Sequence, residues 1–223
     1  VNPSLYANLP FDTEKDFVPV AMLTTSANLF AVHPSVPARN LRELIALAKA
    51  KPGQLTYGSA GIASASHLAG ELLNSMAGIK LTHVAYKSTP QATVDVIGGH
   101  MHSVMASLTS VLPHVRAGKL RALGTTGGKR STLAPDVPAI AETIPGYSAE
   151  IWNGLLAPAA TPRAIIQRLN EVTVTALKSA EMRERYAAIG AEVRYSTPQE
   201  FDAFTRAEMV KWDKLLSALQ QPK

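Results

Sequence analysis

The residues most capable of chemistry form a short run of glycine, serine and alanine, Gly58-Ser-Ala-Gly-Ile-Ala-Ser64. Strand-favouring residues precede it, and Leu68, Leu72 and Met76 follow it at helical spacing. Small residues permit a tight turn with uncovered amides, and Ser64 is placed to cap the helix. The first amides of a helix lack internal partners and carry the positive end of its dipole. The run therefore predicts an anion site, with an ordinary strand–helix turn as the alternative.

The same serines raise the question of nucleophilic catalysis. A serine hydrolase of the commonest strand-turn-helix type has Gly-x-Ser-x-Gly, whereas Gly58-Ser59-Ala60-Gly61 has a different spacing. No sequence motif identifies a His or an Asp as a catalytic partner of Ser59 or Ser64. We therefore predict no catalytic residues and no enzyme, and a hydrolase that uses Ser59 or Ser64 is the alternative.

Three other features could bind a cofactor or a metal. Gly124–Arg130 resembles a phosphate loop, but Leu123 and Arg130 occupy positions where that motif needs Gly and Ser or Thr. We predict a flexible surface loop there. His100 and His102 share one face of a strand without further metal ligands, and His67 is predicted to be a structural, hydrogen-bonded histidine. Glu142 is expected on a solvated face. The sequence thus predicts no cofactor and no metal.

Composition excludes several function classes. The chain has 223 residues, 46% hydrophobic residues, a net charge of +5 and no cysteine. That length supports a substantial core, and no apolar run reaches the roughly 20 residues of a membrane span. The basic residues are scattered, which argues against a nucleic-acid partner and favours a mild field that attracts small anions.

Strand patterns alternate with helix patterns along the chain, which predicts an α/β fold with largely parallel sheets. The predicted strands include residues 18–23, 28–33, 101–105 and 120–125, with residues 24–27 as a polar connection. A helix is predicted over residues 37–50, with Asn40 and Glu43 as a capping box. A last helix is predicted from another capping box, Thr197-Pro-Gln-Glu200. Trp152 is either plain core or a wall of a ligand site.

An ordered set of short motifs makes the chain similar to a known family. The motifs are Asn2-Pro-Ser-Leu-Tyr6, Leu9-Pro-Phe-Asp12, Tyr57-Gly-Ser59, His67-Leu68, His83-Val-Ala-Tyr-Lys87, Asp95-Val-Ile-Gly-Gly99, Pro113–Leu123, Asp136-Val-Pro138, Trp152-Asn-Gly-Leu155 and Thr197-Pro-Gln-Glu-Phe201. Together they resemble the substrate-binding proteins of tripartite tricarboxylate transporters, the Bug family. The resemblance covers essentially the whole chain.

The resemblance implies a two-lobed, hinged, periplasmic-binding-protein-like fold of type II that captures a small carboxylate in an interlobe cleft. It implies a first lobe of residues 1–33 and 146–223 and a second lobe of residues 34–145. Seven ligand-binding residues are carried over: Ser59, Gly61 and Ser64 on the loop, Ser88 and Ser107 in neighbouring loops, and Thr25 and Asn153 near the hinge. The family's usual glycine before the capping serine is here Ala63.

The resemblance also implies a periplasmic location, a small organic anion as ligand, membrane subunits of a tripartite transporter as partners, and a monomer. Citrate-like acids, dicarboxylates, acidic amino acids and aromatic acids all remain possible ligands. Family members carry an export signal, a first strand and a Gly-rich loop before the segment that matches Asn2-Pro3, and we expect the first lobe to be incomplete without them. The ligand-sensing domain of a regulator is a further alternative.

Overall fold

The chain divides into two compact units in the computed structural model, which describes residues 9–220. Residues 26–151 form one unit, here called the continuous unit, and residues 1–25 with 152–223 form the other, here called the split unit. The predicted first lobe includes residues 26–33 and 146–151, which lie in the continuous unit. The lobe assignment itself stays a prediction.

The continuous unit contains a five-stranded sheet, whose strands are β2 Asn28–Val32, β3 Thr56–Ser59, β4 Thr82–Ala85, β5 Ser103–Ser107 and β6 Arg121–Thr125. Their order in the sheet is β4-β3-β5-β2-β6. β3 pairs in parallel with β4 and β5, whereas β2 is antiparallel to β5 and β6. The sheet is therefore mixed, and the expectation of a largely parallel sheet was wrong in this respect. All five residues of β2 are buried, as a central strand requires.

Four helices of the continuous unit connect these strands: α1 Leu41–Ala50, α2 Ala65–Ala77, α3 Thr89–Ile97 and α4 Leu108–Arg116. The N-cap before α1 is confirmed, because Asn40 Oδ1 accepts from the Glu43 amide at 2.9 Å. The second bond of the predicted capping box differs, because the Glu43 carboxylate accepts from the Arg39 amide at 2.6 Å. The helix begins at Leu41 rather than at residue 37 because Asn40 is the N-cap. A short 3₁₀ turn, Ile140–Glu142, follows β6.

The helices lie on both faces of this sheet. Gly70 of α2 packs so closely on the Tyr57 ring that an added Cβ would lie 2.3 Å from Tyr57 Cε2. On the neighbouring residue of β3, a Cβ at Gly58 would lie 2.8 Å from Ala92 Cβ in α3. Because successive strand residues face opposite sides, α2 lies on one face and α3 on the other. Residues of α4 share the core cluster of α3, which places α4 on the α3 face.

The split unit has a three-stranded sheet, whose strands are β1 Phe17–Ser26, β7 Ile151–Pro158 and β8 Glu192–Val193. Their order in the sheet is β7-β1-β8. Its helices are α5 Arg163–Leu177, α6 Ala180–Ala188 and α7 Pro198–Gln220. Asn170 of α5 donates through Nδ2 to the carbonyls of Val20 and Ser196, both at 2.8 Å. β1 continues through Thr24 and Thr25, which pair with β8, so the predicted polar connection over residues 24–27 was wrong.

Trp152 belongs to the packing of the split unit. Its ring makes edge-to-face contacts with Phe201 and Phe204 of α7, with centroid distances of 5.7 and 5.5 Å. Gly154 lies directly against Phe201, because a Cβ there would be 2.0 Å from Phe201 Cζ. These contacts favour the core interpretation of Trp152. Within the described part of the chain, none of the helices has both the length and the apolarity needed to cross a membrane.

Candidate functional site

The candidate site lies at the carboxyl ends of three neighbouring parallel strands. β4, β3 and β5 lie side by side and run in one direction, so their carboxyl ends meet at one edge of the sheet. Each of them is followed at once by a helix: α2 after the loop of residues 60–64, α3 after residues 86–88, and α4 directly after Ser107. Three helix N-termini therefore begin along the same sheet edge.

Adjacent strands β3 and β5 send their following helices to opposite faces. α2 lies on the Tyr57 face, whereas α4 lies with α3 on the other face. Such a reversal leaves a crevice outside the carboxyl ends of the two strands, which is where ligands bind in open α/β sheets. Ser59 ends β3 and Ser107 ends β5, so the reversal lies between two of the predicted site residues.

The loop of residues 60–64, here called the anion loop, is held by hydrogen bonds to its own serines. Ser64 Oγ donates to the Gly61 carbonyl at 2.7 Å and accepts from the His67 amide at 3.2 Å. The prediction that Ser64 caps α2 is confirmed. Gly61 has φ +107°, which favours glycine, and a Cβ there would lie 3.1 Å from the Tyr86 carbonyl oxygen.

Several amides at this edge are available to a ligand. Within residues 9–220, no acceptor is present for the amides of Ala65 and Ser66 in α2, Gln91 in α3, or Thr109 and Ser110 in α4. These are first-turn amides at the positive ends of three helix dipoles. A carboxylate at the edge could accept from them, and their dipoles would favour its negative charge.

Two histidines lie beneath the anion loop. His83 Nε2 is 2.6 Å from Ser59 Oγ, and His67 Nδ1 accepts from the Ala63 amide at 3.2 Å. The two rings are in contact, with centroids 4.1 Å apart and planes tilted by 38°. Burial, and then the neighbouring His67, lower the pKa of His83 to about 4. Burial also lowers the pKa of His67, although the Glu71 carboxylate opposes that shift.

The Ser59–His83 contact has the distance of a nucleophile and its base, but its surroundings do not suit catalysis. Ser59 is 0% exposed, so a substrate cannot approach its hydroxyl. That hydroxyl also accepts from the Gly61 amide at 3.1 Å. The geometry therefore gives Ser59 a role in shaping the loop. His67 likewise has the hydrogen-bonded structural position that its place in the helix predicts.

The structure brings five of the seven predicted site residues to the same sheet edge. Ser59, Gly61 and Ser64 lie in and beside the anion loop, Ser88 is the N-cap of α3, and Ser107 is the N-cap of α4. Ser107 is the last residue of β5 rather than part of a loop. Neither Ser88 nor Ser107 makes a side-chain cap bond, although Ser107 Oγ is 3.1 Å from Thr109 Oγ1.

The other two predicted residues lie in the split unit. Thr25 is 4% exposed and pairs with Glu192 of β8. Asn153 is on β7, and its Nδ2 donates to Thr24 Oγ1 at 3.1 Å. Their proposed contact with a ligand stays a prediction.

Sequence reasoning missed three buried polar residues at the same edge. Asn28 begins β2 opposite Ser107, Thr125 ends β6, and Thr126 follows it. Thr126 Oγ1 accepts from the Asn28 amide at 2.9 Å. Asn28 Nδ2 and Thr125 Oγ1 are buried without a hydrogen-bond partner among residues 9–220. A signal was present, because Asn28 is the one polar residue in the otherwise apolar strand Asn28–Val32.

Two further predictions concern the Gly-rich segment and the histidine pair. Thr125, Thr126 and Gly127 are buried, so the prediction of a flexible surface loop over residues 124–130 was wrong for its first half. His102 Nδ1 accepts from the Thr56 amide at 3.2 Å. Between residues 9 and 220, no three His, Cys, Asp or Glu side chains are grouped to hold a metal ion.

Comparison with known proteins agrees with this geometry. The model of the tripartite tricarboxylate transporter family receptor, TctC, matches residues 1–220. Protein BugT of Bordetella pertussis is 33% identical over 95% of this chain. Among solved structures, R. palustris Rpa4515 with adipate is 32% identical, with a TM-score of 0.76 over 95% of this chain and 71% of that one. MatC from Rhodopseudomonas palustris with bound malate is 28% identical, with a TM-score of 0.73 over 96% and 74%.

The chain spans 65% of the length of BugT and 64–65% of the first other curated relatives that it matches. The structural neighbours confirm the α/β fold of two-lobed solute-binding proteins. The family is one of receptors rather than enzymes. Because its model matches nearly the whole chain, this protein belongs to the tripartite tricarboxylate transporter receptor family, which includes the Bug proteins.

Proposed function

We propose that this chain is a solute receptor that binds a small carboxylate at the carboxyl edge of the five-stranded sheet. The observation that carries the proposal is the arrangement of three helix N-termini along that edge, with first-turn amides that lack acceptors within residues 9–220. Each N-terminus contributes the equivalent of a partial positive charge. A carboxylate would gain from all three, whereas a cationic ligand would be repelled by them.

The chemistry of the edge favours recognition by backbone amides and hydroxyl groups. Ser88 and Ser107 are the N-cap residues of α3 and α4, and neither side chain bonds a helix amide. We propose that both hydroxyls contact the ligand, that of Ser107 together with Thr109 Oγ1, which lies 3.1 Å away. We assign Ser64 and the anion loop to one carboxylate group, and Ser88 and Ser107 to the neighbouring part of the ligand. The buried Asn28 Nδ2 is a further donor at this edge.

The ligand class and the partners follow from the family. Relatives of this chain have been solved with adipate and with malate, and both are dicarboxylates. The family includes a periplasmic binding protein. We therefore propose a periplasmic receptor for a small di- or tricarboxylate or a similar acid, which delivers the ligand to the membrane subunits of a tripartite transporter. Thr25 and Asn153 of the split unit are proposed as additional ligand contacts.

The test is a thermal-shift screen followed by calorimetric titration. The panel contains malate, adipate, citrate, aspartate, glutamate and benzoate, with putrescine as a cationic control of similar size to adipate. A ligand that binds only the folded state stabilises it by about 2.7 kcal/mol at a hundredfold excess over its Kd. We expect shifts with one chemical group of acids and none with putrescine. A clean melting transition that no acid shifts would contradict the proposal.

A further inference from the structure

We propose that His67 and His83 are positioning residues for the anion loop: as a neutral pair in ring contact they hold the loop in its binding shape, and protonation of the pair releases it. This inference rests on the proposed function and adds a means of regulation to it. It makes acid capture dependent on pH through residues that need not touch the acid.

The first step is the bond between His67 and Ala63. Ala63 has φ +62° and is the sole non-glycine with positive φ among residues 9–220. Such a conformation is sterically unfavourable for an L-residue, so surrounding contacts must maintain it. One of them is the bond from the Ala63 amide to His67 Nδ1 at 3.2 Å. That nitrogen accepts only while it carries no proton. Protonation of Nδ1 would therefore break the bond, because the Ala63 N–H and the His67 Nδ1–H would then both be donors.

The second step is the contact between the two rings. The His83 ring contacts the His67 ring at a centroid distance of 4.1 Å, and its other ring neighbour is Tyr57 at 5.0 Å. His83 Nε2 is also 2.6 Å from Ser59 Oγ, which in turn accepts from the Gly61 amide. Two imidazolium rings at this distance would repel each other in a partly buried place. A charged His83 can still donate to Ser59 Oγ, so the loop is disturbed by the lost bond between His67 and Ala63 and by the repulsion between the two rings.

The ionisable groups around the pair do not remove this effect. Glu71 of α2 favours a charged His67, but it also accepts the Tyr57 hydroxyl at 2.6 Å. Tyr57 of β3 and Tyr147, which bonds the Ala69 carbonyl, remain neutral because burial raises the pKa of both. Burial lowers the pKa of both histidines. The pair is thus neutral near pH 7 and charges only below the usual imidazole value of about 6.5, and the pKa of His83 lies at about 4.

The first experiment needs no ligand. The full chain with ¹⁵N-labelled histidine and backbone is titrated by NMR from about pH 8 to about pH 4, a range that spans the usual imidazole pKa. We expect His67 and His83 to titrate below the usual value and the Ala63 amide to move with them. In His67→Asn, Oδ1 takes the place of Nδ1 as an acceptor that does not titrate, so the Ala63 signal should become insensitive to pH. His100→Asn, at an exposed histidine, is the control and should change nothing.

The second experiment measures binding of malate and adipate over the same pH range. Wild type should lose about tenfold in affinity relative to His67→Asn, a usual size for coupling between two sites, as the pH falls to about 4, the pKa of His83. The titration of the acid itself affects both proteins equally. Two results would overturn the inference. One is that both histidines titrate while the chemical shift of the Ala63 amide does not change with pH. The other is that wild type and His67→Asn have identical profiles of affinity against pH. If neither acid binds at any pH, the proposed function fails for these acids, and the NMR result still decides the role of the pair.

Discussion

Ser64 and Ser179 make the same pair of hydrogen bonds in different parts of the fold. Each Oγ donates at 2.7 Å to the carbonyl three residues earlier and accepts at 3.2 Å from the amide three residues later. Ser64 caps α2 at the candidate site, and Ser179 caps α6 in the split unit. The two serines therefore provide a matched pair in which the capping role is shared and the proposed ligand contact is not.

We expect Ser64→Ala and Ser179→Ala to lower the free energy of unfolding by similar amounts, about 1 kcal/mol each. Ser64→Ala alone should also weaken binding of the acid found in the screen, because it removes a hydroxyl beside the proposed carboxylate. Urea unfolding and calorimetric titration measure the two effects separately. Equal affinities for the two variants would show that Ser64 does not contact the ligand.

Ala63→Gly should stabilise the protein, because glycine adopts a positive φ without the steric cost that alanine has. The gain is up to about 1 kcal/mol, since the larger unfolded-state entropy of glycine offsets part of the relief. Ala187→Gly, on the exposed surface of helix α6, is the control and should destabilise by up to about 1 kcal/mol. The measurement is chemical denaturation of both variants. A loss of stability in Ala63→Gly would mean that the backbone at this position is not strained.

Glu142 should stabilise the protein only while it is ionised. Glu142 is exposed, as the sequence predicts, and it also accepts from Arg130 Nε and Nη2 at 2.8 and 2.9 Å and from the Ala139 amide at 2.8 Å. The Arg130 bond and the Ala139 amide lower the pKa of Glu142 to about 2. A lowered carboxyl pKa adds stability that is complete above the usual value and is lost as the pH falls toward the folded-state value.

The change to test this is Glu142→Gln. Its loss of stability relative to wild type should be constant above about pH 4.5 and should shrink as the pH falls below that value, which urea unfolding at several pH values will measure. Glu171→Gln breaks a longer, more exposed pair with Arg168 at 3.3 Å, and it should cost little at any pH. A difference between Glu142→Gln and wild type that does not vary with pH would contradict the assignment.

Local signals in the sequence predicted the parts of the site that are local in the structure. The strand, the small-residue turn and the cap at Ser64 lie within a few residues of one another, so their side chains and amides interact through near neighbours. The N-cap at Asn40 and the capping box at Thr197 were predictable for the same reason, and both are confirmed. The break predicted at residues 24–27 failed because buried threonines also occur in strands when their backbone is paired.

Pairing between distant strands was not predictable from those signals. Ser59 meets His83 because β3 and β4 lie in a register that pairs Ser59 with Ala85, and no local pattern specifies that register. The apolar pattern of β2 is the same for a parallel and an antiparallel strand, so its direction was unknown. The position of Asn28 at the site was unpredictable because it depends on this direction. Only the antiparallel pairing brings the beginning of β2 to the edge where the parallel strands end.

The placement of β2 has a consequence for the synthesis of the protein. β2 pairs Asn28 with Ser107 and Leu29 with Thr125, so its two neighbours leave the ribosome long after it does. Strand pairing between distant segments is slow, and an unpaired apolar strand can associate with other chains. We therefore expect the segment Asn28–Val32 to be the aggregation-prone element of the nascent continuous unit and a natural binding site for chaperones until β6 has emerged.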